Sequence, residues 1–275
     1  KATKPGIFKK MIKLIATDMD GTLLNSQHRL PEGFIEMVSK LYDKGVYTVV
    51  ATGRQYYNVV KYFEPILDKM WIVSENGAMI NKGRELIHVF SMDKDLLAPA
   101  IEDIKRTPDA YYVQCGAEGA YSKPCPPYVE EEMHQFYERL LISENAYEEA
   151  KSMEICKIAI NSRDALTMFS CVLEKYKTTF NVVHSGLHWV DIMKKGVDKG
   201  DAISYIQEYL GITKDETICF GDYPNDLGLF RVSGESYAME NARPEVKAVA
   251  THIAPSNNDG GVQKVLEQLY KENKF

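Results

Sequence analysis

Short apolar runs alternate with segments of helical spacing over both ends of the chain. Ile12–Thr17 (IKLIAT) predicts a strand. From Pro31 to Lys44 the apolar residues Phe34, Ile35, Val38 and Leu41 mark one helix face. Pro31 suits a first turn and Gly45 a stop. Val46–Ala51 is a β-branched strand, Gln55–Phe63 is helical and Trp71–Ser74 is a third strand. After Met193 the same rhythm resumes. Helices are expected at Asp198–Leu210, Asn225–Val232, Pro244–Ala248 and Gly261–Tyr270, alternating with strands at Thr217–Phe220, Glu235–Ala238 and His252–Ala254. Such alternation implies βαβ units and a parallel sheet covered on both faces.

Between about Lys82 and Met193 the texture changes. Short strands are expected at Tyr111–Gln114, Gly119–Ser122, Cys156–Ile160, Asn181–His184 and His188–Ile192, with helices near 93–106, 127–141 and 164–176. Pro124, Pro126 and Pro127 break the chain between two of them. The expected fold is therefore α/β: a Rossmann-like parallel sheet built from 11–82 and 194–275 around an inserted α+β unit at 83–193. The length, 275 residues, suits one large domain or two modest ones at about 150 residues each.

Composition narrows the class. Apolar residues make up 45% and charged residues 26%, which excludes a disordered or fibrous chain. With 39 acidic and 33 basic residues the net charge is −6, a poor match to a nucleic-acid backbone. A phosphorylated small molecule remains compatible, since one local lysine and a metal can bind it. The five cysteines are scattered without a Cys-x-x-Cys pair, which argues against a disulfide framework and for a reducing, cytoplasmic setting. No apolar run reaches the roughly 20 residues of a membrane helix. The segment KATKPGIFKK lacks the long apolar stretch of a signal peptide, and residues 1–10 stay outside the fold expectation.

Four clusters carry candidate chemistry. Asp18-Met19-Asp20-Gly21-Thr22 follows the first strand. Ligands of open parallel sheets bind beyond the carboxyl ends of strands, and a magnesium ion would relieve repulsion between the two carboxylates. An ordinary surface turn also uses Asp and Gly. The second strand ends in Thr52-Gly53-Arg54, which can present a hydroxyl and N–H groups to an anion. Thr52 as a plain helix cap and Arg54 as a solvated residue are equally open. Lys199 opens a helix, where a cation opposes the helix dipole and an anion would compensate it, although most lysines are simply exposed. Gly221-Asp222-Tyr223-Pro224-Asn225-Asp226 follows a strand. Asp222 and Asp226, four apart, can face one metal, while Asp222 or Asn225 could instead cap the helix.

In this order and these strand contexts the clusters resemble those of the haloacid dehalogenase-like hydrolase superfamily. Within it the chain resembles the Cof-type phosphatases, whose large cap is inserted after the third strand. The resemblance covers nearly the whole chain from Met11. It includes Ser74-Glu75-Asn76-Gly77-Ala78, Ala238-Met239-Glu240-Asn241-Ala242 and Asn258-Asp259-Gly260-Gly261-Val262. Tyr223-Pro224 departs from the small or acidic pair often found there.

The resemblance implies a magnesium-dependent phosphomonoester hydrolase with an aspartyl-phosphate intermediate. Asp18 is the implied nucleophile and Asp20 the general acid/base. Magnesium is held by Asp18, the backbone carbonyl of Asp20 and Asp222, with Asp226 acting through water or behind the direct ligands. Thr52, Gly53, Lys199 and Asn225 serve the phosphoryl group, and Arg54 and Asn76 are possible substrate contacts. The partner is a small phosphorylated metabolite. A sugar phosphate leads, ahead of a nucleotide or a flavin or pyridoxal phosphate, with neither nucleic acid nor membrane involved. A phosphomutase that returns the phosphoryl group to a sugar is one rival. A non-catalytic phosphometabolite-binding protein is another, and phosphate release from a generic ester separates it. The absence of membrane helices excludes a transport ATPase of the same superfamily.

Overall fold

The computed structural model describes residues 11–275, so the expectation for residues 1–10 lies outside the described residues. The strands in chain order are β1 Leu14–Thr17, β2 Tyr47–Ala51, β3 Met70–Ser74, β4 Met79–Lys82, β5 Glu85–Val89, β6 Ala110–Gly116 and β7 Gly119–Ser122. They continue with β8 Leu140–Ile142, β9 Ile155–Ser162, β10 Phe180–Gly186, β11 Trp189–Lys194, β12 Thr217–Gly221, β13 Glu235–Met239 and β14 His252–Ala254. Two compact units emerge, one comprising the residues up to Val50 with Ile203–Phe275, the other Ala51–Ala202. The expected insert, 83–193, falls wholly inside the second.

In the first unit β14, β13, β12, β1 and β2 pair in that order, every pair parallel. The order identifies the switch point. From β1 the chain crosses through the helix Phe34–Asp43 to β2 on one side, whereas β12, β13 and β14 progress away on the other. The carboxyl ends of β1 and β12 are thus neighbours at a topological reversal, where open α/β sheets place their ligands. All four residues of β1 and all five of β12 are buried, which is why both segments lack polar alternation. The helices Phe34–Asp43 and Gly261–Lys271 pack together, burying Phe34, Val38, Leu41, Val262 and Leu266.

In the second unit β3, β4 and β5 form an antiparallel meander. A six-stranded sheet runs in the order β10-β11-β9-β6-β7-β8, antiparallel except between β7 and β8. That matches the largely antiparallel sheet expected of the insert. One side of it packs Leu97, Ala100 and Ile104 from the helix Lys94–Arg106 against Ile158, Ile160 and Val190. Another cluster gathers Val129, Met133 and Tyr137 with Ala78, Val113 and Ala159.

Three features differ from the sequence expectation. The β4–β5 hairpin was not expected, since Met79–Lys82 carries a polar pair and Glu85–Val89 is only partly buried. Its two-residue turn is Gly83-Arg84, with Gly83 at φ 55°. The helix expected over 127–141 stops at Phe136 and gives way to β8. Tertiary partners decide this: Asn58 Oδ1 accepts from Glu138 N (2.8 Å), and Gln55 both accepts from Arg139 N (2.9 Å) and donates to its carbonyl (3.0 Å). The helix expected over 164–176 is broken into a short turn, a widened turn at Met168–Val172 and a tight turn at Glu174–Tyr176. Ser170 Oγ bonds back to the Leu166 carbonyl at 2.6 Å, the kind of contact that distorts a helix.

The five cysteines are free, and among the described residues no helix is long and apolar enough to cross a membrane.

Candidate active site

Asp18 follows β1 directly. Its N–H donates to the Phe220 carbonyl of β12 at 3.0 Å, and the Thr17 hydroxyl donates to the Asp18 carbonyl at 2.8 Å. The side chain therefore starts from a backbone held on both sides. Across the switch point β12 delivers Asp222, and one helical turn later comes Asp226. The carboxylate oxygens offered by Asp18, Asp222 and Asp226 lie within 4.8 Å of one another, with Asp18 and Asp226 buried.

Each arm of this cluster has its own support. Asp222 Oδ1 accepts from the Thr22 hydroxyl at 2.9 Å. Asp226 Oδ2 accepts the N–H groups of Asp222 (2.9 Å) and Tyr223 (3.0 Å), so Asp226 caps the turn that carries Asp222. Sequence alone offered Asp222 or Asn225 as the cap of the helix that follows; Asp226 holds the N-cap position of Leu227–Val232 without a side-chain bond to it, and Asn225 is exposed. Gly21 takes φ 77°, and a Cβ there would stand 2.5 Å from Asp222 Oδ2, so a side chain at that position would displace the Asp222 carboxylate. Asn241 Nδ2 donates to the Gly21 carbonyl at 2.7 Å, and Asn241 Oδ1 accepts from Asn257 N at 3.1 Å.

Three hard oxygen donors at this spacing fit a small divalent cation, whose octahedral shell sets neighbouring ligand oxygens about 3 Å apart and opposite ones about 4 Å apart. Among the described residues no nitrogen or sulfur donor joins the group, and an all-oxygen set suits magnesium better than zinc. Asp20 stands outside the cluster, exposed, with Oδ1 3.6 Å from His28 Nδ1. Its backbone bridges to Leu24, whose N–H donates to the Met19 carbonyl at 2.8 Å. That exposure suits proton exchange with an ester and with water.

The remaining sequence candidates belong to the second unit. Thr52 is buried, its N–H donates to the Val73 carbonyl (2.9 Å), and its Oγ1 accepts from Arg54 N (3.2 Å). Asn76 N donates to the Thr52 carbonyl and Glu75 N to the Arg54 carbonyl, each at 3.0 Å. Lys199 is buried at the first position of its helix, 1% exposed, where a lysine needs compensation by negative charge. The guanidinium of Arg54 reaches the Tyr62 ring, with Nη1 3.4 Å from its hydroxyl.

Thr22, His28 and Asn241 are neighbours of the candidate residues that motif reasoning did not assign. Thr22 and Asn241 lie inside quoted motifs and carried that signal. His28 lies in none, and only the loop geometry brings it to Asp20.

A family model for haloacid dehalogenase-like hydrolases matches residues 15–266. The chain is 31% identical to the 5-amino-6-(5-phospho-D-ribitylamino)uracil phosphatase YbjI of Escherichia coli, over 94% of this chain and 97% of the relative. It is 26% identical to the phosphatase YwpJ of Bacillus subtilis, over 94% and 100%. A crystal structure from Thermotoga maritima, TM0651, superposes with a TM-score of 0.84 at 27% identity, over 94% of this chain and 97% of that one. Another from Eubacterium rectale gives 0.86 at 27% identity, over 94% and 99%.

Proposed function

The chain belongs to the haloacid dehalogenase-like hydrolases and is a phosphatase of their Cof type, and from that membership we propose that it hydrolyses a small phosphomonoester through an aspartyl-phosphate on Asp18. The observation that carries this reading is the meeting of Asp18, Asp222 and Asp226 at the ends of two adjacent parallel strands. An Asp18 oxygen attacks phosphorus in line with the ester oxygen. The Asp18–phosphorus bond forms as the ester bond breaks. Asp20 donates its proton to the departing alkoxide. Its carboxylate then takes a proton from the water that attacks the same phosphorus, releasing inorganic phosphate and restoring both aspartates.

Magnesium is the proposed metal, held by Asp18, the Asp20 carbonyl and Asp222, with Asp226 behind them. When bound it would offset the charge shared by the phosphoryl group and the carboxylate that approaches it. Thr52, the N–H groups around Gly53, Lys199 and Asn225 take the phosphoryl oxygens, which bear the charge of the transition state. Arg54 and Asn76 are proposed as further substrate contacts. The insert 83–193 is proposed as the cap that selects the alcohol.

For the substrate class we propose a phosphorylated sugar or polyol. The ribitylaminouracil phosphate in the name of the Escherichia coli relative is the first compound to try. The test is phosphate release over a panel of phosphomonoesters, before and after exhaustive chelation. Release should require added magnesium and be suppressed by calcium, which takes six to eight ligands at longer distances and would draw both Asp18 oxygens into its shell. Equal rates with the two metals, or full activity after chelation, would sink the scheme.

A further inference from the structure

The second unit buries three charged side chains that take no part in the chemistry above. Lys157 lies in β9, all eight residues of which are buried. The register sets Lys157 opposite Cys115 of β6 and Met193 of β11, and Ala159 opposite Asp191. Lys157, Asp191 and Cys115 therefore share one face of the six-stranded sheet. Lys157 Nζ is 2.5 Å from Glu75 Oε2 and 5.4 Å from the centre of the Tyr137 ring, with Lys157 4% and Glu75 1% exposed. Burial pushes the carboxyls of Glu75 and Asp191 upward, and the ammonium opposes it in both. Burial pulls Lys157 the other way, but Glu75, Tyr137 and Asp191 hold it well above its ordinary value.

A lysine enclosed in an inner strand is rare. Exchanging a buried ion pair for well-packed apolar groups of similar volume is often neutral or stabilising, so burial of such a pair is weak evidence of a stability role. Its position does suggest an account. Glu75, Asn76 and Gly77 all take positive φ (51°, 56° and 105°), although two of them carry a Cβ. Side chains oppose that conformation, and it persists where the surroundings over-determine it.

This turn touches both anion-binding elements of the unit. Glu75 N and Asn76 N hold the carbonyls of Arg54 and Thr52. A Cβ at Gly77 would stand 2.2 Å from the Asp198 carbonyl oxygen and 2.8 Å from Lys199 N, so the turn lies directly on the backbone that opens the Lys199 helix.

We propose that Glu75 and Lys157 are positioning residues for phosphoryl binding: their ion pair fastens the Glu75–Asn76 turn to the six-stranded sheet and so holds Thr52 and the Lys199 backbone in place. This rests on the phosphoryl-binding roles proposed above for Thr52 and Lys199.

The test compares the double variant Glu75→Gln/Lys157→Met with Lys157→Arg and Thr52→Val in the metal-loaded enzyme. Melting temperature, KM and kcat for several esters, and the inhibition constant of inorganic phosphate are measured. The double variant should melt near the parent. Its KM and its phosphate inhibition constant should rise together by about tenfold, whatever the alcohol, as happens when a support behind a ligand-binding group is lost. Lys157→Arg should keep most of the affinity. If the double variant does not fold, Glu75→Gln, which keeps the side chain's shape, carries the same reading through its phosphate inhibition constant. A folded variant with KM and phosphate inhibition unchanged overturns the proposal. So does a KM that varies with the alcohol while phosphate inhibition stays constant. If Thr52→Val weakens phosphate binding and the pair variants do not, the positioning role alone is lost. If Thr52→Val leaves phosphate binding intact, the phosphoryl-binding reading fails, and this inference with it.

Discussion

Gly21 joins Asp20 to Thr22 at φ 77°, and the space where its Cβ would sit is already taken by the Asp222 carboxylate. Gly21→Ala should therefore cost about 1 kcal/mol of stability from the left-handed backbone alone. Its larger effect should fall on the metal site, because Asp222 must swing away. The magnesium concentration for half-maximal turnover should rise between about tenfold and a hundredfold. Turnover against magnesium, measured beside a denaturant melt, separates the two effects. Asp18→Asn differs in kind. An amide is neither an anionic nucleophile nor a good metal ligand, so turnover should fall by at least about 10⁴-fold with the melting temperature preserved. A beryllium fluoride adduct should sit on an Asp18 carboxylate oxygen in the parent and be absent from the variant. Residual metal-dependent turnover above a trace would move the nucleophile elsewhere.

Among the elements, the tight turn Lys214–Glu216 sets where β12 begins. Glu216 accepts from Thr213 N (2.9 Å) and from the Thr213 hydroxyl (2.8 Å), and its other oxygen pairs with Lys13 Nζ at 2.8 Å. The lysine hydrogen bond first, and the Thr213 bonds after it, lower the carboxyl from 4.5 to about 2. A carboxyl lowered in the folded state adds stability above its unfolded value and loses it as the pH falls through the folded one. Glu216→Gln should therefore melt lower than the parent by about 2 °C at pH 7, a modest effect because Lys13 is half exposed. The gap should narrow below pH 4.5 and close near pH 2. Melting curves across that range check it, and a gap independent of pH would assign the effect to lost shape. Segment 127–141 shows how distant partners set an element's end. Tyr137, Leu140 and Leu141 fit a helical period, but backbone groups at Glu138 and Arg139 find partners on Asn58 and Gln55, some eighty residues away. No local pattern contains that information.

For the whole molecule, the proposed roles of the core clusters involve only groups common to every phosphomonoester, so discrimination should come from whatever meets the alcohol. Exchanging 83–193 for the insert of a relative with different preferences should reorder the substrate ranking. Lys199→Ala and Asp20→Asn should stay as damaging in the chimaera as in the parent. A folded, active chimaera with the parental ranking would show that selectivity lies in the core.

What the sequence determined by itself was the local chemistry. Asp18, Asp222 and Asp226, which the fold gathers into one cluster, stood out because each motif directly follows a wholly buried strand, and a run such as LIAT or TICFG declares itself without its partners. The tertiary structure alone decided which distant groups share a charge. Thr22 meets Asp222 across 200 residues of chain. Lys157 reads in the sequence as one polar residue in an apolar strand, and only pairing of β9 with β6 and β11 encloses it with Glu75 and Asp191. Strand propensity and motif spacing act over a few residues, whereas enclosure of a charge depends on what the completed sheet packs against it.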